Sequence, residues 1–150
     1  MSRIILLDSG PLGLITNPKA SPENDACNQW VQARLRGGDS VHVPAIADYE
    51  VRRELLRAGK MKGIAKLDDL KAAIGYVPLT TEMLLKAAEL WGEVRKIGKP
   101  TAPDVALDGD VILAAQAAVL AATGRQIIIA TTNVKHLELF ADARLWKDID

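Results

Sequence analysis

The sequence is poor in cysteine, with Cys27 alone, and poor in aromatics, with one Phe, two Tyr and three Trp among 150 residues. One thiol cannot close an internal bridge, so a disulfide scaffold is excluded. Neither sign of charge is in excess, 19 Lys and Arg standing against 19 Asp and Glu. That balance argues against a protein that coats nucleic acid through bulk electrostatics, but not against an enzyme that handles a short stretch of it. Long apolar runs are missing as well. Ile4-Ile5-Leu6-Leu7 stops at Asp8, too short for a signal-peptide core or for the roughly 20 residues of a membrane span, so a cytoplasmic protein with no membrane partner is expected. His42 and His136 lack the spacing of a zinc pair, and there is neither a Gly-rich phosphate loop nor a serine nucleophile elbow.

What is present is apolar content, 49% of the chain, enough to exclude disorder and to build one domain over residues 1–150. Four short runs read as strands: residues 3–7, 41–43, 76–79 and 126–130. Between them lie helical patterns. Ser21-Pro22 reads as a cap and first-turn proline for a helix through Trp30, Val31 and Leu35 that stops at Gly37-Gly38. A second helix follows Pro44. Residues 61–74 place Ile64, Leu67, Leu70 and Ile74 on one face, and residues 81–97 do the same with Leu84, Ala87, Ala88, Trp91 and Val94. Gly98, Pro100 and Pro103 mark a loop over 98–107, followed by a nearly all-apolar, buried helix through Ala122. Alternating strands and helices predict an α/β fold with a mostly parallel sheet flanked by helices.

In such a sheet ligands gather at the carboxyl ends of strands, and Asp8 follows the first strand directly. It is either the N-cap of a short helix through Leu12 and Ile15 or a functional acid. Glu50, on the helix after the second strand, reads by itself as a solvated helix residue rather than as a site. Asp108 and Asp110 open the apolar helix; residues two apart diverge by about 200°, so Asp108 is expected to cap and Asp110 to point inward, unless both merely complement the helix dipole. Asn133, after the fourth strand, is a site residue or a plain cap. Oxygen-bearing side chains that converge from several strand ends repel one another unless a hard cation lies among them, which points to Mg2+ or Mn2+.

Four segments in order resemble the PIN-domain family, small metal-dependent nucleases that include the VapC-like ribonuclease toxins of bacterial type II toxin-antitoxin pairs. They are Ile4-Ile5-Leu6-Leu7-Asp8-Ser9, then Val43-Pro44-Ala45-Ile46-Ala47-Asp48-Tyr49-Glu50, then Asp110-Val111-Ile112-Leu113-Ala114-Ala115-Gln116-Ala117, and Ile129-Ala130-Thr131-Thr132-Asn133-Val134-Lys135-His136-Leu137. The resemblance covers the whole chain. It implies a PIN-like three-layer sandwich and a Mg2+- or Mn2+-dependent endoribonuclease with Asp8, Glu50 and Asp110 as metal ligands, Asp108 nearby, and Ser9 and Thr131 as hydroxyls that fix carboxylate rotamers. It further implies an antitoxin partner and self-association. Asn133 stands where many members carry a fourth aspartate; an amide oxygen orients water but adds no charge, and a catalytically weak or inactive RNA- or protein-binding module is the alternative. His136 reads as a surface or capping residue.

From Arg52 to Lys66 the chain carries Arg52, Arg53, Arg57, Lys60, Lys62 and Lys66 against Glu54 alone. Either this segment contacts RNA or it meets an acidic partner or solvent. With so few aromatics, a broad stacking platform is not expected and backbone contacts should dominate. A haloacid-dehalogenase-like phosphatase also begins strand then Asp, but needs a second Asp where this chain has Gly10.

Overall fold

A computed structural model describes residues 2–97 and 104–150, with side chains from Leu107 onward in the helix that begins at Asp104. Five strands, β1 (Ile4–Leu7), β2 (Ser40–Pro44), β3 (Gly75–Val77), β4 (Ile127–Thr131) and β5 (Ala143–Leu145), form one sheet in the order β3-β2-β1-β4-β5. Every pairing is parallel. The helices are α1 (Ser9–Thr16), α2 (Pro22–Arg36), α3 (Ala45–Arg57), α4 (Met61–Ala73), α5 (Thr81–Lys96), α6 (Asp104–Ala121) and α7 (Val134–Leu137).

The period of two along β1 builds the layers. Ile5 and Leu7 pack with Leu12 of α1, Cys27, Trp30 and Val31 of α2 and Leu67 of α4. Ile4 and Leu6 pack on the other face with Met83 of α5, Leu113 and Ala117 of α6 and Leu137 of α7. The result is the expected three-layer α/β sandwich. The chain leaves β1 toward β2 and β3 on one side and returns to β4 and β5 on the other, so the strand order reverses between β1 and β4. At that point two adjacent strand ends are left free of crossing helices, and Asp8 and Thr131 occupy them. Among the described residues no helix is long and apolar enough to cross a membrane.

Local signals account for most boundaries. Ser21 Oγ accepts from Asn24 N at 3.1 Å to open α2, and the chain leaves it through Gly38 at φ 96°. Several expectations need correction. β5 was not foreseen, because Ala143-Arg144-Leu145 is a short, half-exposed edge with no apolar run. β3 ends at Val77 and excludes Pro78 and Leu79; it begins instead at Gly75, where a Cβ would overlap the His42 imidazole. The expected loop over 98–107 lies outside the described residues as far as 103, and its remainder is helical. α6 starts at Asp104 because Leu107, Val111 and Ala115, four residues apart, pack on Ala87 and Val94 of α5. α5 turns Met83, Ala87 and Val94 inward, whereas Leu84, Ala88 and Trp91 of the expected face are exposed. Both stripes satisfy helical spacing, and only contact with α6 selects one. On α4, Leu67 is fully buried while Ile64, Leu70 and Ile74 are half-buried.

Candidate active site

Asp8 both caps a helix and faces the free strand ends. Its Oδ1 accepts from Ser9 N at 2.8 Å and its Oδ2 from the Thr131 hydroxyl at 2.7 Å. Burial raises its pKa, and the hydrogen bonds from Thr131 and Ser9 pull in the other direction. Thr131 thus supports the carboxylate through its hydroxyl, and Ser9 through its backbone N–H.

Glu50 projects from α3 toward α6. A Cβ at position 109 would lie 2.8 Å from Glu50 Oε2, so Gly109 makes the room that lets the carboxylate rest beside Asp110. Burial, then the charge of Asp8, raise the Glu50 pKa to about 7; Asp110 adds to the rise and Arg53 opposes it. Asp110 is pushed up to about 6 by burial and by Asp8, against the pull of His136. Its Oδ2 is buried with no hydrogen-bond partner. Three carboxylates from β1, α3 and α6 therefore face one another closely enough for each ionisation to disfavour the next. Among the described residues, no group of three or more His, Cys, Asp or Glu side chains is placed so that it could hold a metal ion as it stands.

Asp108 does not join them. It is not the cap of α6 but an exposed residue four positions into the helix, and it lines a different groove with Leu84, Trp91 and Ile112. Because both aspartates are helical, the 200° divergence applies in full. Asn133 precedes α7, yet its exposed side chain makes no capping bond. Its backbone contributes instead, Asn133 N donating to Thr131 Oγ1 at 3.0 Å. A side chain at Gly10 would press within 2.8 Å of Thr132 Cγ2, so an aspartate there, as the phosphatase reading needs, would require Thr132 to shift.

The basic segment divides. Arg52 is committed within the protein, to Asp68 at 2.6 Å and Asp48 at 3.0 Å, with Lys71 also on Asp48 at 3.1 Å. It clamps α3 to α4, its charge already paired within the protein. Arg53, Arg57 and Lys60 line a groove of about 470 Å³ between α1 and α3 that opens at Ser9 and Glu50. Arg57 also pairs with Glu54 at 2.8 Å. Lys62 is exposed on α4 and does not line the groove.

Sequence reasoning missed Gln116. This fully buried side chain accepts from Ile46 N at 3.5 Å and donates to Val77 O at 3.0 Å and Pro78 O at 3.4 Å. It ties α6, which bears Asp110, to the start of α3, which bears Glu50. The signal was legible: Gln116 is the lone polar residue in the run 111–122. His136, read as a surface residue, stands near enough to Asp110 to lower its pKa.

No family model and no curated protein matches the sequence. Solved structures do match. VapBC2 from Rickettsia felis, bound to a DNA fragment from its promoter, superposes with a TM-score of 0.72 at 16% identity, covering 95% of this chain and 98% of that one. VapBC-1 from nontypeable Haemophilus influenzae gives 0.69 at 15%, over 97% and 99%. DNA-bound VapBC from Salmonella typhimurium gives 0.67 at 16%, also over 97% and 99%. The fold is the PIN-domain fold of VapC structures.

Proposed function

We propose that this protein is a Mg2+- or Mn2+-dependent endoribonuclease, the toxin of a type II toxin-antitoxin pair, acting in the cytoplasm and assembling with itself and with an antitoxin protein. The convergence of Asp8, Glu50 and Asp110 at the reversal point of the sheet carries this reading. Raised pKa values and an orphaned Asp110 Oδ2 are what a hard cation with oxygen ligands would relieve. By its chemistry this all-oxygen donor set suits Mg2+ or Mn2+, although the three side chains would have to draw closer to hold the ion; Asp108 is no part of it.

Asp8, Glu50 and Asp110 would hold the cation. When bound, it lowers the pKa of a water and offsets charge on the phosphoryl and leaving oxygens. Thr131 and Ser9 fix both oxygens of Asp8, so this ligand needs no reordering. Asn133, beside Thr131, lends an amide to orient water at the edge of the cluster. Arg53, Arg57 and Lys60 offer positive charge along the groove that ends at Glu50, offsetting the repulsion between an acidic site and a phosphodiester. The antitoxin and self-association rest on the likeness to VapBC complexes.

Purified protein should cleave single-stranded RNA with Mn2+ or Mg2+ and stop when EDTA is added. RNA that is bound but uncut under either cation would favour the inactive binding module instead.

A further inference from the structure

Among the three arginines of α3, Arg52 and Arg57 are tied to carboxylates. Arg53 is different. Its guanidinium carbon lies 5.1 Å from the centroid of the Tyr49 ring, one helical turn back on the same face. Tyr49 is 57% exposed despite its size. The guanidinium is also near enough to Glu50 to lower its pKa, and both residues line the same groove. A flat aromatic ring and a flat cation thus lie together on α3, the cation lining the same groove as Glu50.

Such a surface suits one class of ligand. Unpaired bases stack on aromatic rings and on arginine planes with little regard to identity, and a cation over a ring strengthens the platform for an anionic strand. A duplex keeps its bases within its own stack, so the ligand must be single-stranded here. We infer that Tyr49 and Arg53 form a stacking subsite for one unpaired nucleobase of single-stranded RNA, next to the phosphodiester presented to the carboxylates. This rests on the nuclease reading and deepens it: the low aromatic content excludes a broad platform but leaves one stacking position.

The test uses a fluorescent single-stranded RNA and a series in which one abasic nucleotide is walked along it, the sugar-phosphate chain being intact. Binding is read by anisotropy in EDTA, and cleavage in Mn2+. Wild-type protein should bind one abasic member roughly 5- to 100-fold more weakly than the parent, the range of single stacking contacts. Tyr49→Phe should keep that discrimination. Tyr49→Ala should bind parent and abasic RNA alike, and Arg53→Lys, which keeps charge but not the plane, should lose part of it with an unchanged salt slope. An abasic penalty equal in wild type and Tyr49→Ala, or absent at every position, would overturn the subsite. If RNA is still cut in that case, the nuclease reading stands without it. If wild-type protein neither binds nor cuts RNA, both fall. Loss of partner-protein binding in Tyr49→Ala with RNA discrimination intact would reassign the pair to a protein interface.

Discussion

The Thr131 hydroxyl donates to Asp8 Oδ2 at 2.7 Å, joining the ends of two adjacent strands across 123 residues of sequence. The same oxygen accepts from Asn133 N at 3.0 Å, which leaves the hydroxyl proton for the carboxylate. With Ser9 N on Oδ1, Asp8 is held at both oxygens before any cation arrives.

Thr131→Val keeps the shape and removes the donor. Metal affinity or RNA cleavage should fall about 10- to 100-fold, the usual effect of losing a partner that orients a ligand, while Thr131→Ser should stay close to wild type. Mn2+ titration and initial rates check this; a fully active valine variant would show that the hydroxyl does not orient Asp8.

Stability should depend on pH with a definite sign. Glu50 and Asp110 rise from ordinary values of 4.5 and 3.8 to about 7 and about 6 in the fold, so between these limits the folded state binds more protons than the unfolded. Without divalent cation, the contribution of this pair to stability is present at low pH and is lost as pH rises from about 4 to 7. Asp8→Asn removes the charge that presses on both, so its melting temperature without metal should exceed that of wild type at pH 8, with the gap narrowing toward pH 5. A variant less stable than wild type at pH 8 would contradict the repulsion.

Gln116→Leu should cost about 1–3 kcal/mol in denaturant unfolding, since it leaves buried backbone groups at Ile46 and Val77 without their partner. Because Gln116 joins the helices that carry Glu50 and Asp110, Mn2+ affinity should fall as well. Unchanged Mn2+ binding in a destabilised protein would limit the residue to folding.

The arginines on α3 should separate by role. Arg52→Ala should destabilise the α3-α4 clamp and leave the salt dependence of RNA binding intact, whereas neutralising Arg57 and Lys60 should flatten it by roughly 0.7 for each phosphate that these side chains no longer neutralise. The opposite pattern would place RNA on the α4 side.

Much of this architecture is legible in the chain, for identifiable reasons. β1 and β4 are apolar runs buried on both faces, and their polar ends, Asp8 and Thr131, mark the crevice. Ser21-Pro22 and Gly38 write the limits of α2 directly. β5 was invisible because an edge strand with Arg144 at its centre needs no apolar pattern. The start of α6 was misplaced because Pro103 and Asp108 resemble helix punctuation, while the packing of Leu107 on α5 exists only in three dimensions. The same error made Asp108 a cap, when it lies inside the helix. A charge run such as 52–66 discloses its sign but not its partners, and Asp48 and Asp68 take Arg52 out of circulation.

The most direct test compares Mn2+-dependent RNA cleavage by wild type, Asp110→Asn and Asp108→Asn. Asp110 lies among the three carboxylates, and Asp108, two residues earlier on the same helix, faces another groove. Asp110→Asn should lose at least about 100-fold in rate, on the scale of losing an electrostatic group that acts in the transition state, while Asp108→Asn cleaves as wild type does. Equal loss in both variants, or full activity in Asp110→Asn, would contradict the site.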